Sequence, residues 1–252
     1  MLHIYDGLNY LRDELEHRGN TLRGLYNQQS NALKDRTIIW VWEGKGGNSR
    51  RRKVYPDYKG TRPQAPENIF AAVKLFQQLL DLANVFQIHV DGYEGDDVVA
   101  SLIHRYKETP KFLYSTDKDF RPLYGEEFKL QGLANPIKEC PDKYVRLYKT
   151  LVGDPSDNIK GIPGLGIKQF NELDHDALMD IFENRRKNLL PTFLSPIKAK
   201  PYEWAMTHID ELFNMWDITG YYLIDHQVLD SQLRVGQCNF ELANAFLKRY
   251  LQ

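Results

Sequence analysis

FQIHVDGYEGDDVVASLIHRY, residues 86–106, changes its period halfway along. Phe86 to Val90 reads as a short apolar strand. From Asp97 to Lys107, Val98, Leu102 and Tyr106 recur at helical spacing on one face. Between the two halves lie Glu94, Asp96 and Asp97, so a strand delivers acids to the start of a helix. The same βα unit repeats outward. Upstream, Leu2 to Tyr5 is a strand that ends at Asp6, and Thr37 to Trp42 (TIIWVW), β-branched and aromatic, is a buried strand that ends at Glu43. Downstream, Lys111 to Ser115 is a strand that ends at Asp117 and Asp119. Asn9 to His17, Leu22 to Leu33 and Pro66 to Val85 read as the intervening helices. Alternating units of this kind predict an α/β fold, a mostly parallel sheet flanked by helices.

Such sheets build their sites beyond the carboxyl ends of their strands. Four strands therefore bring acids to one edge, and Asp154 and Asp157 add another pair from a helical region. A single acid at a helix start is ordinarily a cap for free N–H groups. Gathered at one edge, these acids would repel one another unless cations neutralised them. The donors are oxygen only, with no His or Cys among them, which suits Mg²⁺ or Mn²⁺ rather than zinc. Carboxylates holding two such ions, about 3.5–4 Å apart, are an apparatus for phosphoryl transfer in which water is the nucleophile. Ser115 and Cys140 have no evident His partner that would argue otherwise.

The net charge of −1 over 252 residues does not announce a nucleic-acid binder. The local distribution does. Lys45, Arg50, Arg51, Arg52, Lys53, Lys59 and Arg62 stand against Asp57 alone, in a glycine-rich strip that reads as a mobile connection. Cations pair with phosphates, and Tyr55 and Tyr58 among them could stack on exposed bases. A bland reading is a solvated charged loop. Gly161-Ile162-Pro163-Gly164-Leu165-Gly166, followed by Ile167-Lys168, is a tight turn into a helix, whose free N–H groups can hold a phosphate; the bland reading is a plain helix-to-helix turn. It is not a dinucleotide fingerprint, because no strand precedes it. Cys140 and Cys238 lack metal-ligand spacing and read as reduced thiols, in keeping with a cytoplasmic protein. The N-terminus does not resemble a secretory signal, and no apolar run approaches the roughly 20 residues that span a bilayer. The tail, residues 176–252, is helical in periodicity with a strand-like stretch near Tyr221 to Ile224, and it carries no chemistry that can be named.

Asp6-Gly7, Tyr58-Lys59-Gly60-Thr61-Arg62, Glu94-Gly95-Asp96-Asp97, Ser115-Thr116-Asp117-Lys118-Asp119, and Gly153-Asp154 through Lys168 together resemble the motifs of the 5′-nuclease family, in the family's order. That family includes bacteriophage flap endonucleases and exonucleases and the 5′-nuclease domain of bacterial DNA polymerase I. The short chain, and Gly95 where alanine is usual, look most like a bacteriophage member, which would act in the host cytoplasm in DNA replication, RNA primer removal or DNA degradation. The resemblance spans residues 2 to about 170.

It implies a PIN-like core over 1–135, with a helical arch at about 44–66, and a helical region over 136–252 that contains a helix-three-turn-helix grip on duplex DNA at about 142–175, often around a K⁺ ion. By motif position Asp6, Glu94 and Asp96 serve the first metal and Asp97 lies beside both. Asp117, Asp119, Asp154 and Asp157 form the second site. Lys59 and Arg62 steady the scissile phosphate. Arg50, Arg51, Arg52, Lys53, Tyr58, Gly161, Gly164, Gly166 and Lys168 contact DNA. The family usually has Asp where this chain has Glu43, which leaves the direct ligand role of Glu43 open. The implied substrate is DNA with 5′ ends or flaps, or an RNA–DNA hybrid, cut by a monomer. Two other readings stand beside it: a PIN-type ribonuclease, which would not need the glycine hairpin, and a DNA-binding module without catalysis, which would not need the acids.

Overall fold

The computed structural model describes residues 1–31, 36–63, 66–123, 128–131, 137 and 140–250. Five strands, β1 (Leu2–Asp6), β2 (Thr37–Val41), β3 (Phe86–Ile88), β4 (Lys111–Tyr114) and β5 (Phe128–Gln131), run parallel, and β6 (Arg234–Val235) joins β3 antiparallel. The sheet order is β5-β4-β1-β2-β3-β6. β1 sits centrally, so Asp6 leaves the middle of the sheet with acid-bearing neighbours on either side.

The helices in chain order are α1 (Gly7–Arg12), α2 (Leu22–Asn31), α3 (Ser49–Val54), α4 (Glu67–Leu80), α5 (Gly95–Arg105), α6 (Val145–Leu151), α7 (Ile167–Phe170), α8 (His175–Glu183), α9 (Leu190–Leu194), α10 (Ala199–Thr207), α11 (Ile209–Thr219), α12 (His226–Gln232) and α13 (Phe240–Tyr250). Period-2 alternation sorts the strand side chains between two faces. Ile39 and Val41 of β2 meet Val98 and Leu102 of α5 and Leu229 of α12. Ile38 and Trp40 meet Leu11 of α1, Leu25 of α2, Phe76 of α4 and Leu247 of α13. On this second face Tyr5 is stacked between Trp40 and Tyr114, with ring centroids 4.6 and 4.1 Å away. A separate core, built on Leu147, Leu151, Phe170, Phe182, Phe213 and Trp216, holds the helical region together.

The mostly parallel sheet and its first four strands match the expectation; several other features do not. The basic strip is not a mobile connection. It forms α3 and a run of turns, and Tyr55 and Tyr58 are buried against Ile159, Met215 and Ile218. A charged, aliphatic-poor segment reads as loop, but here its aromatic residues supply the apolar anchors. Tyr221 to Ile224 is extended without strand pairing. It is held by side chains of α5, since Tyr222 N–H donates to Asp97 (2.9 Å) and Ile224 N–H to Ser101 (2.9 Å). The late strand forms instead at Arg234–Val235, exposed and too short to show a period. The tail thus rejoins the N-terminal sheet. The expected boundary at 135/136, residues 64–65 of the expected arch, and the end of the helix expected to reach Leu33 lie outside the described residues.

Candidate metal and nucleic-acid site

β1 ends at Asp6, which is 9 % exposed and accepts a hydrogen bond from Ser115 Oγ at 2.7 Å. The loop after β4 is shaped by Asn9, a residue the sequence reading did not single out. Its Oδ1 accepts from Thr116 N–H (2.8 Å) and Thr116 Oγ1 (3.0 Å). Asp117 N–H then donates to Ser115 Oγ, and Asp119 N–H to Asp117 Oδ1 at 2.8 Å. These short turns bring Asp6, Asp96 and Asp117 within mutual electrostatic reach. Burial pushes Asp6 up to about 7; the Ser115 hydroxyl opposes this, and Asp117 and Glu43 reinforce it. Asp96 is raised likewise, by burial and by Asp117 and Asp6. Glu43 stands on the exposed rim, where its Oε2 accepts from Gly95 N–H at 2.9 Å.

Glu94 and Asp97 open α5 with a reciprocal capping box. Asp97 is fully buried and saturated. Its oxygens accept from Arg51 Nη1 (2.8 Å), Arg51 Nη2 (2.7 Å), Glu94 N–H (3.1 Å) and Tyr222 N–H (2.9 Å). No lone pair is left turned toward a metal, so the expectation that Asp97 lies beside both ions is corrected: it is a buried anchor. Glu94 accepts from Lys59 Nζ (2.8 Å) and Tyr58 OH (3.0 Å) and lies 3.0 Å from Arg51 Nη1. Burial alone would raise Glu94, but Lys59 and Arg51 outweigh it and hold the carboxyl below its usual range.

The expected contacts of Arg51 and Tyr58 with DNA are likewise corrected. Arg51 is 3 % exposed, and its remaining N–H groups donate to Ile218 O (2.9 Å) and Gly220 O (2.8 Å). All five of its donors are thereby used inside the fold. Arg50, Arg52 and Lys53 remain exposed; Arg50 lies 4.1 Å over the ring of Tyr93. Arg62 is exposed, with Nη2 3.5 Å from Asp157 Oδ1.

Asp119, Asp154 and Asp157 form a second group, with one carboxylate oxygen from each lying within 4.8 Å of the others. Asp119 Oδ1 is buried with no hydrogen-bond partner, which fits a metal ligand. Lys149 of α6 enters this group: it pairs with Asp119 and lies 2.5 Å from Asp154 Oδ2. Burial would lower Lys149, but the two carboxylates raise it above its ordinary value. Burial would raise Asp154, but Lys149 and Ser156 bring it down. Sequence reasoning missed Lys149, although a signal exists: it falls on the inward stripe of α6 with Val145, where an apolar residue belongs.

The glycine hairpin begins at Asp154 and Ile159, which exchange backbone hydrogen bonds of 2.8 and 2.9 Å. Gly161 is buried at φ +63°, and a Cβ there would meet Gly153 N at 2.5 Å. Gly164 (φ +81°), Gly166 and Lys168 face solvent, and a Cβ on Gly166 would meet nothing within 4 Å. Ile162 and Leu165 are sunk in the helical core. The hairpin's exposed backbone is thus presented by a rigid base.

A family profile described as 5′-3′ exonuclease, N-terminal resolvase-like domain, matches residues 5–146. A 5′-3′ exonuclease of Aquifex aeolicus is 32 % identical over 133 residues, covering 48 % of this chain and 46 % of that protein. The DNA polymerase I of Caldicellulosiruptor bescii is 29 % identical over 163 residues, 57 % of this chain and 19 % of that one. The chain therefore spans between about a fifth and a half of these relatives. Among solved structures, T5 5′-exonuclease with bound zinc aligns over 98 % of both chains, with a TM-score of 0.63 and 20 % identity. A T5 flap endonuclease variant with DNA and metal ions covers 100 % of this chain and 99 % of its own, with a TM-score of 0.60 and 21 % identity.

Proposed function

Because the chain belongs to the 5′-3′ exonuclease family through its N-terminal resolvase-like domain, we propose that it is a divalent-metal-dependent 5′-nuclease that hydrolyses DNA phosphodiester bonds. The observation that carries this reading is the oxygen-only cluster at the carboxyl edge of the sheet, where Asp6 and Asp96 are raised by burial and by mutual repulsion. A site that crowds anions without cations of its own favours an added cation. Asp6, Asp96 and Asp117, with Glu43 at the rim, would hold one ion; Asp119, Asp154 and Asp157 would hold the other. Two such ions, when bound, supply an activated water and charge neutralisation at the leaving oxygen.

The chain's own groups do the rest. Lys59 and Arg62 stand over the two groups, at Glu94 and Asp157, where cations can meet a phosphate entering the cluster. Arg50, Arg52 and Lys53 attract the DNA backbone along the exposed face of α3. The amides around Gly164 and Gly166, with Lys168, grip the duplex, and a K⁺ ion among the hairpin carbonyls would steady that grip. The substrate is DNA with a 5′ end or flap, including an RNA–DNA hybrid, cut by a monomer in the cytoplasm. Purified protein should cleave labelled flap and single-stranded DNA with Mg²⁺ or Mn²⁺, stop with EDTA and be inhibited by Ca²⁺, which accepts looser coordination. Undiminished cleavage after exhaustive chelation would sink the proposal, and preference for RNA throughout would favour a PIN-type ribonuclease.

A further inference from the structure

The two carboxylate groups differ in one respect that the family motifs do not contain. The group at Asp6, Asp96 and Asp117 has no ion pair of its own among the described residues. The group at Asp119, Asp154 and Asp157 already holds Lys149, 5 % exposed, with its ammonium against Asp119 and 2.5 Å from Asp154 Oδ2. Lys149 has no other anion to turn to, because Asp119 and Asp154 are its only ion-pair partners among the described residues. Its stem is fixed by α6, whose Leu147 and Leu151 are locked in the helical core.

We propose that Lys149 is a resident counter-cation of the second carboxylate group: its ammonium occupies the donor atoms a second divalent ion needs, so the two ions load unequally, tightly at Asp6–Asp96–Asp117 and weakly at Asp119–Asp154–Asp157. The inference rests on the two-ion reading above. Asp119 and Asp154 can coordinate an ion only when Lys149 withdraws from them, and a nearby unit positive charge opposes the incoming one even after it withdraws. Without the ion, the same ammonium keeps two buried carboxylates paired, which would otherwise be costly to leave alone. Lys149 is therefore a positioning residue that sets metal affinity without touching substrate. It lets the helical region fold before any metal arrives.

The test is Mn²⁺ titration of the metal-free full chain, read by calorimetry and by electron paramagnetic resonance of the free ion, with thermal unfolding beside it. Wild-type protein is expected to show a tight and a weak class of site. In Lys149→Met the weak class should tighten by about tenfold or more, the scale of removing one competing unit charge a few ångström away. Lys149→Arg should keep the weak class weak. Metal-free Lys149→Met should melt below wild type and regain more on adding Mn²⁺. If Lys149→Met does not fold, Asp96→Asn, which keeps Lys149, must retain the weak class and lose the tight one. Equal affinities in wild type and Lys149→Met, or a tight class surviving in Asp96→Asn, overturns the role of Lys149 and leaves the nuclease reading standing. Absence of Mn²⁺ binding by wild-type protein overturns both.

Discussion

Arg50, Arg51 and Arg52 are adjacent in sequence and chemically identical, yet they belong to different parts of the protein. A helix turns each residue about 100° from the last, so when α3 packs down only the middle one faces the core. Arg51 then bridges Asp97 and Glu94 to two carbonyls beyond α11. Replacing it strands a buried carboxylate that has no water to turn to. Arg51→Ala should cost roughly 3–5 kcal/mol, the scale of breaking a buried pair, and lower the melting temperature by roughly 10 °C. Arg51→Lys should restore little, because an ammonium cannot reproduce the planar fork. The double change of Arg50 and Arg52 to alanine should leave the melting temperature alone, weaken DNA binding and flatten its salt dependence. Melting curves and a salt titration on these variants check it, and an Arg51→Ala that melts like wild type would count against the buried network. Residue types and order alone placed Asp6, Asp96 and Asp117 at one edge. They could not tell Arg51 from its neighbours, or Asp97 from Asp96, because those distinctions arise only when the tail arrives to supply Tyr222 N–H and Gly220 O.

At the scale of elements, the hairpin separates what folds from what binds. Gly161 is needed by the backbone: it is left-handed and within clash distance of Gly153. Gly166 has ordinary extended angles and open space before it. Gly161→Ala should therefore lower the melting temperature, whereas Gly166→Val should leave it unchanged and still weaken duplex binding, since its side chain would stand where a phosphate must approach. Circular dichroism melts with a duplex-binding titration would decide it, and undiminished binding by Gly166→Val would return the hairpin to a plain turn between helices. The βα units were legible because their strands are rich in β-branched and aromatic residues and their helices keep a clean period. β6 was not, since two exposed residues carry no pattern. The strap of 49–62 was misread because composition reports solubility, and its tyrosines, not its many charges, set its position.

Across the whole molecule, the acidic edge ties stability to pH. Asp6 titrates near 7 in the folded protein and near 3.9 when unfolded. Between those values the folded, metal-free chain binds more protons than the unfolded one, so its stability falls as pH rises through that window and levels off above it. Asp96, Asp119 and Asp157 shift the same way, while Glu94 and Asp154 shift oppositely. In EDTA the urea midpoint should drop between pH 5 and pH 8, and Mg²⁺ should restore most of the loss by mass action; a midpoint that climbs with pH in EDTA would contradict the placement of Asp6. One further consequence comes from the closing stretch of the chain. β6 edges the first-formed sheet, α13 covers one of its faces, and Ile218 and Gly220 seat Arg51. During synthesis the N-terminal strands leave the ribosome long before these partners exist. The acid cluster would then wait, incomplete, until the last residues emerge, so a chain still being translated would carry the full set of carboxylates but no finished cutting site.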